Sequence, residues 1–227
     1  IILKRGLKVM DYRDIINKVL RRLREDTIAN DWIGNLNDSA DVDEYQKLIG
    51  DLVNETKQTV EDAWAWSFLR SLETLPTVAG TVDYTIPNAN NRTTVLQVID
   101  DTNNLEITQM SDSAFYDYSF IGSTQNGNPS HYRLNGTTIS FHPTPSNVFS
   151  IKLHVVTPQS DLTEATTELT VPESPVVLGA YALALAERGE DGGTGSSLAG
   201  SRFDSVLADF IAKDTARTLN ETVWYAS

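Results

Sequence analysis

Apolar residues recur at helical spacing in several stretches of the chain. The stretch with the clearest start and end signals covers residues 169–195, where apolar positions repeat every three or four residues. Ser174 and Pro175 match a helix N-cap followed by a first-turn proline, and Gly189 and Gly192 match a helix end. Charged residues occur only in the last turn of this helix, so it should be covered on several sides by other elements.

Three further stretches show the same helical spacing. Residues 11–24 predict an amphipathic helix whose arginines lie opposite its apolar face. Residues 42 to about 71 predict a tryptophan-ended helix that would span roughly 45 Å at about 1.5 Å per residue. A last helix is predicted to begin near residues 196–198 and to lie antiparallel on the helix of residues 169–195. Its apolar stripe consists of Phe203, Val206, Leu207, Phe210 and Ile211.

Between residues 75 and 158 the apolar period changes from helix to strand. The β-branched or alternating runs predict antiparallel strands at residues 81–86, 93–99, 105–109, 131–134, 138–141 and 148–156. Asn135-Gly136 is a strong hairpin signal, because both residue types tolerate positive φ. Ser111 or Asp112 is the predicted cap of a short aromatic helix within this region.

Together these elements predict an α+β fold, in which a helical bundle of long antiparallel helices carries an inserted antiparallel β module. The predicted helical domain comprises residues 1–74 and 159–217, and the β-strand module comprises residues 75–158. Residues 218–227 are predicted to form a C-terminal docking tail, because Val223, Trp224 and Tyr225 place apolar side chains where a chain end usually frays. A tail that folds back onto its own subunit is the open alternative.

Acidic residues dominate the chain except at its beginning. The 227 residues include 31 acidic and 18 basic residues, which gives a net charge of −13. Eight basic residues and two acids precede Glu25, so the rest of the chain carries 29 acids against 10 bases. This balance argues against general nucleic-acid binding, which needs Lys and Arg to contact phosphates. The first helix carries a candidate basic contact face, with a solvated helix face as the alternative; its residues are Arg13, Lys18, Arg21, Arg22 and Arg24.

The sequence offers little chemistry, and we expect a non-enzymatic protein without a metal or a cofactor. His131, His142 and His154 fall on or beside separate strands without ligand spacing, and the chain contains no cysteine. The glycine-rich residues 189–195 lack the Lys and Ser/Thr of a phosphate loop, and no serine lies in a G-x-S-x-G elbow. Adjacent acids at residues 61–62 and 100–101 occupy a predicted helix face and a predicted turn, where solvation is expected.

Hydropathy predicts no membrane association. No run reaches the ~20 apolar residues of a membrane span, and residues 1–9 are too short and too basic for a signal peptide. We expect Met10 to be the natural start. The absence of cysteine suits a protein that is assembled in a cytosol.

Several stretches of the sequence resemble the head-to-tail adaptor (connector) proteins of short-tailed bacteriophages. They are the basic amphipathic helix, the tryptophan-ended helix, and the segments LETLPTVAGTVDYTIP at 72–87, GNPSHYRLNGTTISFHPTPS at 127–146 and LTVPESPVVLGAYALALAERGEDGG at 169–193. The resemblance covers nearly everything from Met10 onward, and it includes no catalytic signature.

The resemblance implies a structural virion protein that is assembled in the host cytoplasm and resides in the neck and tail of the virion. It implies a homo-oligomeric ring, typically of twelve copies, which is seated below the portal protein and contacts a tail nozzle or fibre protein. DNA would pass through the channel of this ring during ejection without specific binding. Val223, Trp224 and Tyr225 would dock on the portal.

The charge imbalance adds two hypotheses. A carboxylate-lined channel would repel DNA phosphates and let the genome slide. The basic face of the first helix would meet an acidic surface of a neighbour. The apolar stripes of the second and last helices also exceed what one small fold normally leaves open.

Two other classes of protein stay open at this point. A carbohydrate- or receptor-binding virion module would use the aromatic residues Tyr116, Tyr118 and Phe120. A cell-wall hydrolase would need a carboxylate pair in a cleft, which the sequence does not indicate.

Overall fold

The computed structural model of the chain describes residues 10–120, 125–189 and 193–217. The chain divides into two compact units, a helical unit of Ile1–Phe68 with Gln159–Ser227 and a β unit of Leu69–Pro158. The helices of the described residues are α1 (Tyr12–Leu23), α2 (Glu44–Asp62), α3 (Asp112–Phe120), α4 (Glu173–Arg188) and α5 (Thr194–Arg217). The protein is therefore α+β, as the sequence predicts.

α1 forms where the sequence predicts it. The Asp11 side chain accepts a hydrogen bond from the Asp14 backbone N–H at 2.8 Å, and Arg24 ends the helix with φ 61°. This cap supplies a partner to a backbone N–H that has none within the helix. The apolar face of α1, which includes Ile15 and Ile16, is fully buried.

α4 is the centre of the helical unit and contacts α1, α2 and α5. Residues 175–180 of this helix are all buried, as its low charge predicts. Gly179 permits the close packing, because a Cβ at this position would lie 2.4 Å from Thr56 Cγ2 and 3.1 Å from the Phe203 ring.

The helices do not all run antiparallel to their neighbours, which corrects one detail of the prediction. Lys18 pairs with Glu173, and Arg22, one turn later in α1, lies over Tyr181 later in α4, so α1 runs parallel to α4. α2 opposes α4, since its early Tyr45 accepts a hydrogen bond from Arg188 at the end of α4. α2 and the whole β unit separate α1 from α4 in the chain, so no short hairpin imposes their direction.

The ends of α4 agree only in part with the prediction. The helix begins at Glu173, its cap position falls on Pro172, and no side chain caps it, so the predicted N-cap at Ser174 is wrong. A carboxylate in the first turn interacts favourably with the positive end of the helix dipole. Gly189 ends the helix in the left-handed region with φ 62°, as predicted.

α2 ends at Asp62, well before the predicted end near residue 71. Trp66 turns the chain back on the helix: its indole Nε1 donates to the Val60 carbonyl at 2.7 Å, and its ring is fully buried. The ring also stacks on Phe68 with centroids 5.4 Å apart. The large Trp66 ring is thus buried directly after the helix ends, and Arg70 begins the first strand.

The β unit contains two four-stranded sheets and one short strand pair among its described residues. The strands are β1 (Arg70–Pro76), β2 (Asp83–Thr85), β3 (Thr94–Asp100), β4 (Leu105–Glu106), β5 (Thr108–Gln109), β6 (Asn126–Gly127), β7 (His131–Asn135), β8 (Thr138–His142), β9 (Thr144–Pro145) and β10 (Ser150–Val156). The sheet orders are β1-β10-β3-β4 and β2-β8-β7-β5, and β6 pairs with β9. Alternating residues of both sheets form one apolar core, which includes Ile139, Phe141, Ile151 and Leu153.

Among the described residues, five strand pairs are antiparallel, as predicted, whereas two short pairs are parallel. β5 pairs with β7, and β6 pairs with β9, in parallel registers. The run of residues 105–109, predicted as one strand, divides at Ile107, which is buried and whose N–H donates to the Val98 carbonyl at 2.9 Å. The chain passes from one sheet to the other at this residue. The alternation of apolar and polar residues along a strand does not reveal such a crossing.

The β7–β8 hairpin forms as predicted, but its turn lies one residue later. Asn135 and Thr138 are register partners, so Gly136 and Thr137 are the turn residues. Gly136 has φ 57°, whereas Thr137 is not among the residues with positive φ. A positive φ at only the first of two turn residues is typical of a type II′ turn, in which that position favours glycine.

The short aromatic helix α3 is capped by Ser111, one of the two predicted residues. The Ser111 Oγ accepts a hydrogen bond from the Ala114 N–H at 3.3 Å. Phe115 of this helix is buried, with 5% of its surface exposed.

A buried ion pair fastens α2 to the chain that leads into α4. Lys57 Nζ donates to the carbonyls of Gln159 and Ser160 at 2.7 and 3.1 Å, and it lies 3.3 Å from the Glu61 carboxylate. Both charged side chains are fully buried. Glu61 in turn accepts a hydrogen bond from the Gln159 N–H at 3.2 Å.

We predict that Lys57→Met lowers the free energy of unfolding by about 3–5 kcal/mol, because it removes the buried ammonium group that pairs with the Glu61 carboxylate. Lys47→Met is the matched control, since Lys47 pairs with the exposed Glu44 on the same helix. The control should cost less than about 1 kcal/mol. Urea unfolding of both variants measures the difference, and equal costs would contradict this role of the buried pair.

Candidate functional site

A groove of about 550 Å³ lies between α1, α4 and α5. Its floor is apolar and is formed by Val177, Leu178, Val206 and Phe210. Five cationic residues outnumber two acids around it; the cations are Lys18, Arg21, Arg22, Arg202 and Lys213, and the acids are Glu173 and Asp209. We call this feature the basic groove. It concentrates positive charge on a chain whose net charge is −13.

α1 supplies three of these cations from one side of the helix. Lys18, Arg21 and Arg22 are spaced by three and four residues, which places them next to one another. Lys18 Nζ lies 2.9 Å from the Glu173 carboxylate, and the Arg22 guanidinium lies 5.9 Å from the centroid of the Tyr181 ring. Arg21 and Arg22 are exposed, so their charges are available to a partner.

The other two residues of the predicted basic face lie outside the lining of the groove. Arg13 is buried and donates to the Trp32 carbonyl at 2.7 Å and to the Asp11 carboxylate at 3.1 Å. Arg24 is the exposed residue that ends α1. The structure thus brings together Lys18, Arg21 and Arg22 and assigns Arg13 to contacts within its own unit.

α5 contributes residues to the groove that sequence analysis did not assign to a site. Arg202 and Lys213 join the cations of α1, and the Lys213 Nζ lies 4.9 Å from the centroid of the Phe210 ring. The two helices are far apart in the chain. The spacing of apolar residues shows which face of each helix is apolar. It does not show which charged residues of the two helices will lie together.

The apolar stripe of α5 is only partly covered. Each of its residues, from Phe203 to Ile211, has intermediate exposure. On α2, Ile49 and Val53 are fully buried, whereas Leu48 and Leu52 have intermediate exposure. Partly covered apolar side chains therefore lie on both helices.

Asp214 fixes the far end of α5. Its buried carboxylate accepts hydrogen bonds from the Trp64 indole Nε1 at 3.1 Å, the Ser67 N–H at 3.0 Å and the Ser67 hydroxyl at 2.5 Å. Sequence analysis missed this residue. Its position four residues after Phe210 and three after Ile211, on the apolar stripe of α5, was the available signal.

The predicted portal-docking residues Val223, Trp224 and Tyr225 lie outside the described residues. They follow α5, whose last described turn contains Asp214.

The aromatic residues of the alternative carbohydrate site lie on α3. Tyr116 and Tyr118 are 45% and 56% exposed, whereas the side chain of Phe120 lies outside the described part of the chain. The Arg133 guanidinium lies 4.8 Å from the centroid of the Tyr116 ring and donates to its hydroxyl at 3.0 Å. Arg133 therefore occupies one face of Tyr116 that a sugar would use.

Two of the three histidines face each other across a hairpin. His131 and His142 are register partners on β7 and β8, and His154 lies on β10 of the other sheet. Burial lowers the pKa of His142, and the neighbouring His131 lowers it further. The Tyr118 ring lies 5.1 Å from the His142 ring, centroid to centroid.

Within residues 10–120, 125–189 and 193–217, no group of three or more His, Cys, Asp or Glu residues is arranged to hold a metal ion. None of the helices in these same ranges combines the length and the apolar character that crossing a membrane requires.

A family model described as SU10 adaptor protein matches residues 10–223. The match spans both units and the whole basic groove, and it ends at Val223, so that Trp224 and Tyr225 lie beyond it. No curated protein matches the chain.

We predict that His142 makes the stability of the protein depend on pH in a defined direction. Because the folded state lowers its pKa, the unfolded state binds the proton first as the pH falls below about 6.5. The contribution of His142 to the free energy of unfolding is therefore fully present above that pH and declines below it. The fall in denaturant midpoint between pH 8 and pH 5.5 should be smaller for His142→Gln than for the natural chain. An identical fall in both proteins would contradict the assignment.

Proposed function

The chain belongs to the SU10 adaptor protein family, and on this premise we propose that its copies form a ring below the phage portal. The family consists of bacteriophage adaptors, so the protein has a structural role in the phage virion, at its neck. We propose twelve copies, by likeness to the adaptors of short-tailed phages. The ring would join the portal to a tail nozzle or fibre protein and leave a channel for DNA. The family match over nearly the whole chain carries this proposal.

The helical unit would supply the contacts between subunits. We propose that it acts as a bundle in which α2 and α5 oppose α4 and the free face of α5 meets a neighbouring copy. The partly covered stripe of α5 and the basic groove beside it support this role, because apolar surface of this kind is normally hidden in an assembly. A ring of identical copies needs two different faces on each subunit.

The acidic composition would let DNA pass without adhering to the ring. Outside the first 24 residues the chain carries 29 acids against 10 bases, so a channel built from it is expected to carry net negative charge. Like charges repel at close range even at physiological salt, where the screening length is about 8 Å. A wall of this kind would repel the phosphate backbone.

The C-terminal tail would bind the portal. Asp214 fixes the last described turn of α5, and the proposed docking residues follow this turn in the sequence. Trp224 and Tyr225 are residue types that commonly dominate the binding energy of an interface.

We predict that replacing Val223, Trp224 and Tyr225 with serine lowers the affinity for the portal of the same phage at least about thirty-fold, which corresponds to about 2 kcal/mol for one dominant aromatic residue. Alanine at Thr218, Asn220 and Thr222 is the matched control, because it changes polar residues of the same tail. Surface plasmon resonance on immobilised portal measures both. Unchanged affinity of the serine variant would contradict a docking role for these residues.

We also predict that the ring assembled on its portal does not bind duplex DNA, even at about 50 mM salt, where phosphate contacts are strongest. Fluorescence anisotropy of a labelled duplex measures binding, with the portal alone as the control. Tight binding that weakens steeply with added salt would show a cationic channel wall and contradict the acidic channel.

A further inference from the structure

The connection between α1 and α2 presents a rigid surface of acidic and apolar character. Residues 29–41, which we call the acidic loop, contain Asp31, Asp38 and Asp41 and no basic residue. All three carboxylates are exposed. Ile33 lies between Asp31 and Asp38 in the sequence, and 71% of its surface is exposed.

The exposure of Ile33 is built into the fold. Arg13 donates to the Trp32 carbonyl at 2.7 Å, directly before Ile33. The Ala165 N–H donates to the Gly34 carbonyl, and the Leu36 N–H donates to the Thr163 carbonyl, each at 2.9 Å. Gly34 has φ 138°, which allows the chain to turn immediately after Ile33. The backbone on both sides of Ile33 is thus fixed while its side chain faces outward.

The acidic loop and the basic groove adjoin different positions around α1. Arg13 holds the loop, whereas Lys18, Arg21 and Arg22 line the groove. At about 100° of helix rotation per residue, Arg21 lies about 80°, Lys18 about 140° and Arg22 about 180° around α1 from Arg13. One subunit therefore carries the two complementary surfaces at separate places on its helical unit.

The two surfaces are complementary in both their apolar and their charged residues. The groove has an apolar floor, which suits the Ile33 side chain, and a cationic rim, which suits the carboxylates around it. We propose that the acidic loop of one copy docks in the basic groove of the next copy, with Ile33 on the floor near Val206. This inference rests on the proposed function, because it names the contact between subunits of the ring. Such a head-to-tail contact closes into a ring when the rotation per copy allows it.

Cysteine cross-linking tests this contact directly, because the chain has no cysteine of its own. The double variant Ile33→Cys/Val206→Cys is treated with a short bismaleimide, with and without portal. A ladder of covalent multimers is expected. Ile33→Cys/Leu198→Cys is the matched control, since Leu198 is 73% exposed on α5 but lies outside the groove lining. The control should give at most a tenth of the multimers that the test variant gives. If the test variant gives no ladder, either alone or on the portal, the proposal is overturned.

Charge reversal tests the same contact in a second way. In the background of the cross-linking pair, Arg21→Glu/Arg22→Glu makes the groove acidic, and Asp31→Arg/Asp38→Arg makes the loop basic. All four positions are exposed, so both variants should fold. Each variant alone pairs like charges and should lose at least tenfold in multimer yield at low salt. An equal mixture places every loop against a groove of opposite charge and should recover the yield; a mixture no better than its parts would overturn the proposal.

The outcomes separate this contact from the adaptor function. A normal ring on the portal, without the cross-link and without sensitivity to charge reversal, would overturn the loop-to-groove contact and leave the adaptor function intact. A full ladder from a protein that never binds portal would support the contact and contradict the adaptor function. A further double variant, Trp224→Cys/Val206→Cys, tests whether the tail occupies the groove of its own chain. A cross-link within one chain, in place of the ladder, would show this and would also overturn the proposal.

Discussion

Burial of α4 by three other helices is the constraint on which the helical unit depends. Gly179 lets α2 and α5 approach this helix closely, since a side chain there would overlap Thr56 and press on Phe203. α1 covers α4 beside Lys18 and Arg22. With the apolar surface of α4 used in this way, the charged residues of α1 and α5 are left at the rims of the unit. The basic groove is formed where these rims meet.

The charges of the helical unit are separated by helix geometry. On one side of α1, Arg13 has lost its role as a surface cation and holds the acidic loop in place. Farther around the helix, Arg21 and Arg22 remain exposed beside the apolar residues of the groove. A chain with a strongly negative total charge thus keeps a positive surface. The acidic loop and this surface are the two halves of the contact that we propose between copies.

Local signals in the sequence predict the elements whose ends are set by nearby residues. The Ser111 cap, the Gly189 helix end and the β7–β8 hairpin act within a few residues, and the structure contains all three. Contacts distant in sequence decide the remainder. Trp66 ends α2 by folding back on Val60, and Ile107 carries the chain from one sheet to the other. The spacing of apolar residues along the sequence reveals neither feature.

The candidate site shows the same division between local and distant information. The spacing of Lys18, Arg21 and Arg22 indicates one basic helix face, and these three residues do lie together. Their partners Arg202 and Lys213 come from a helix at the other end of the chain, and only the fold brings them near. The removal of Arg13 from that face depends on the Trp32 carbonyl, which sequence spacing does not reveal.

The central claim is that this protein functions as many copies seated on a portal. The most direct measurement is the mass of the portal complex, by native mass spectrometry or mass photometry, with and without the full-length chain. The account predicts an increase equal to one adaptor copy for each portal subunit. An increase of a single copy, or none, would contradict it.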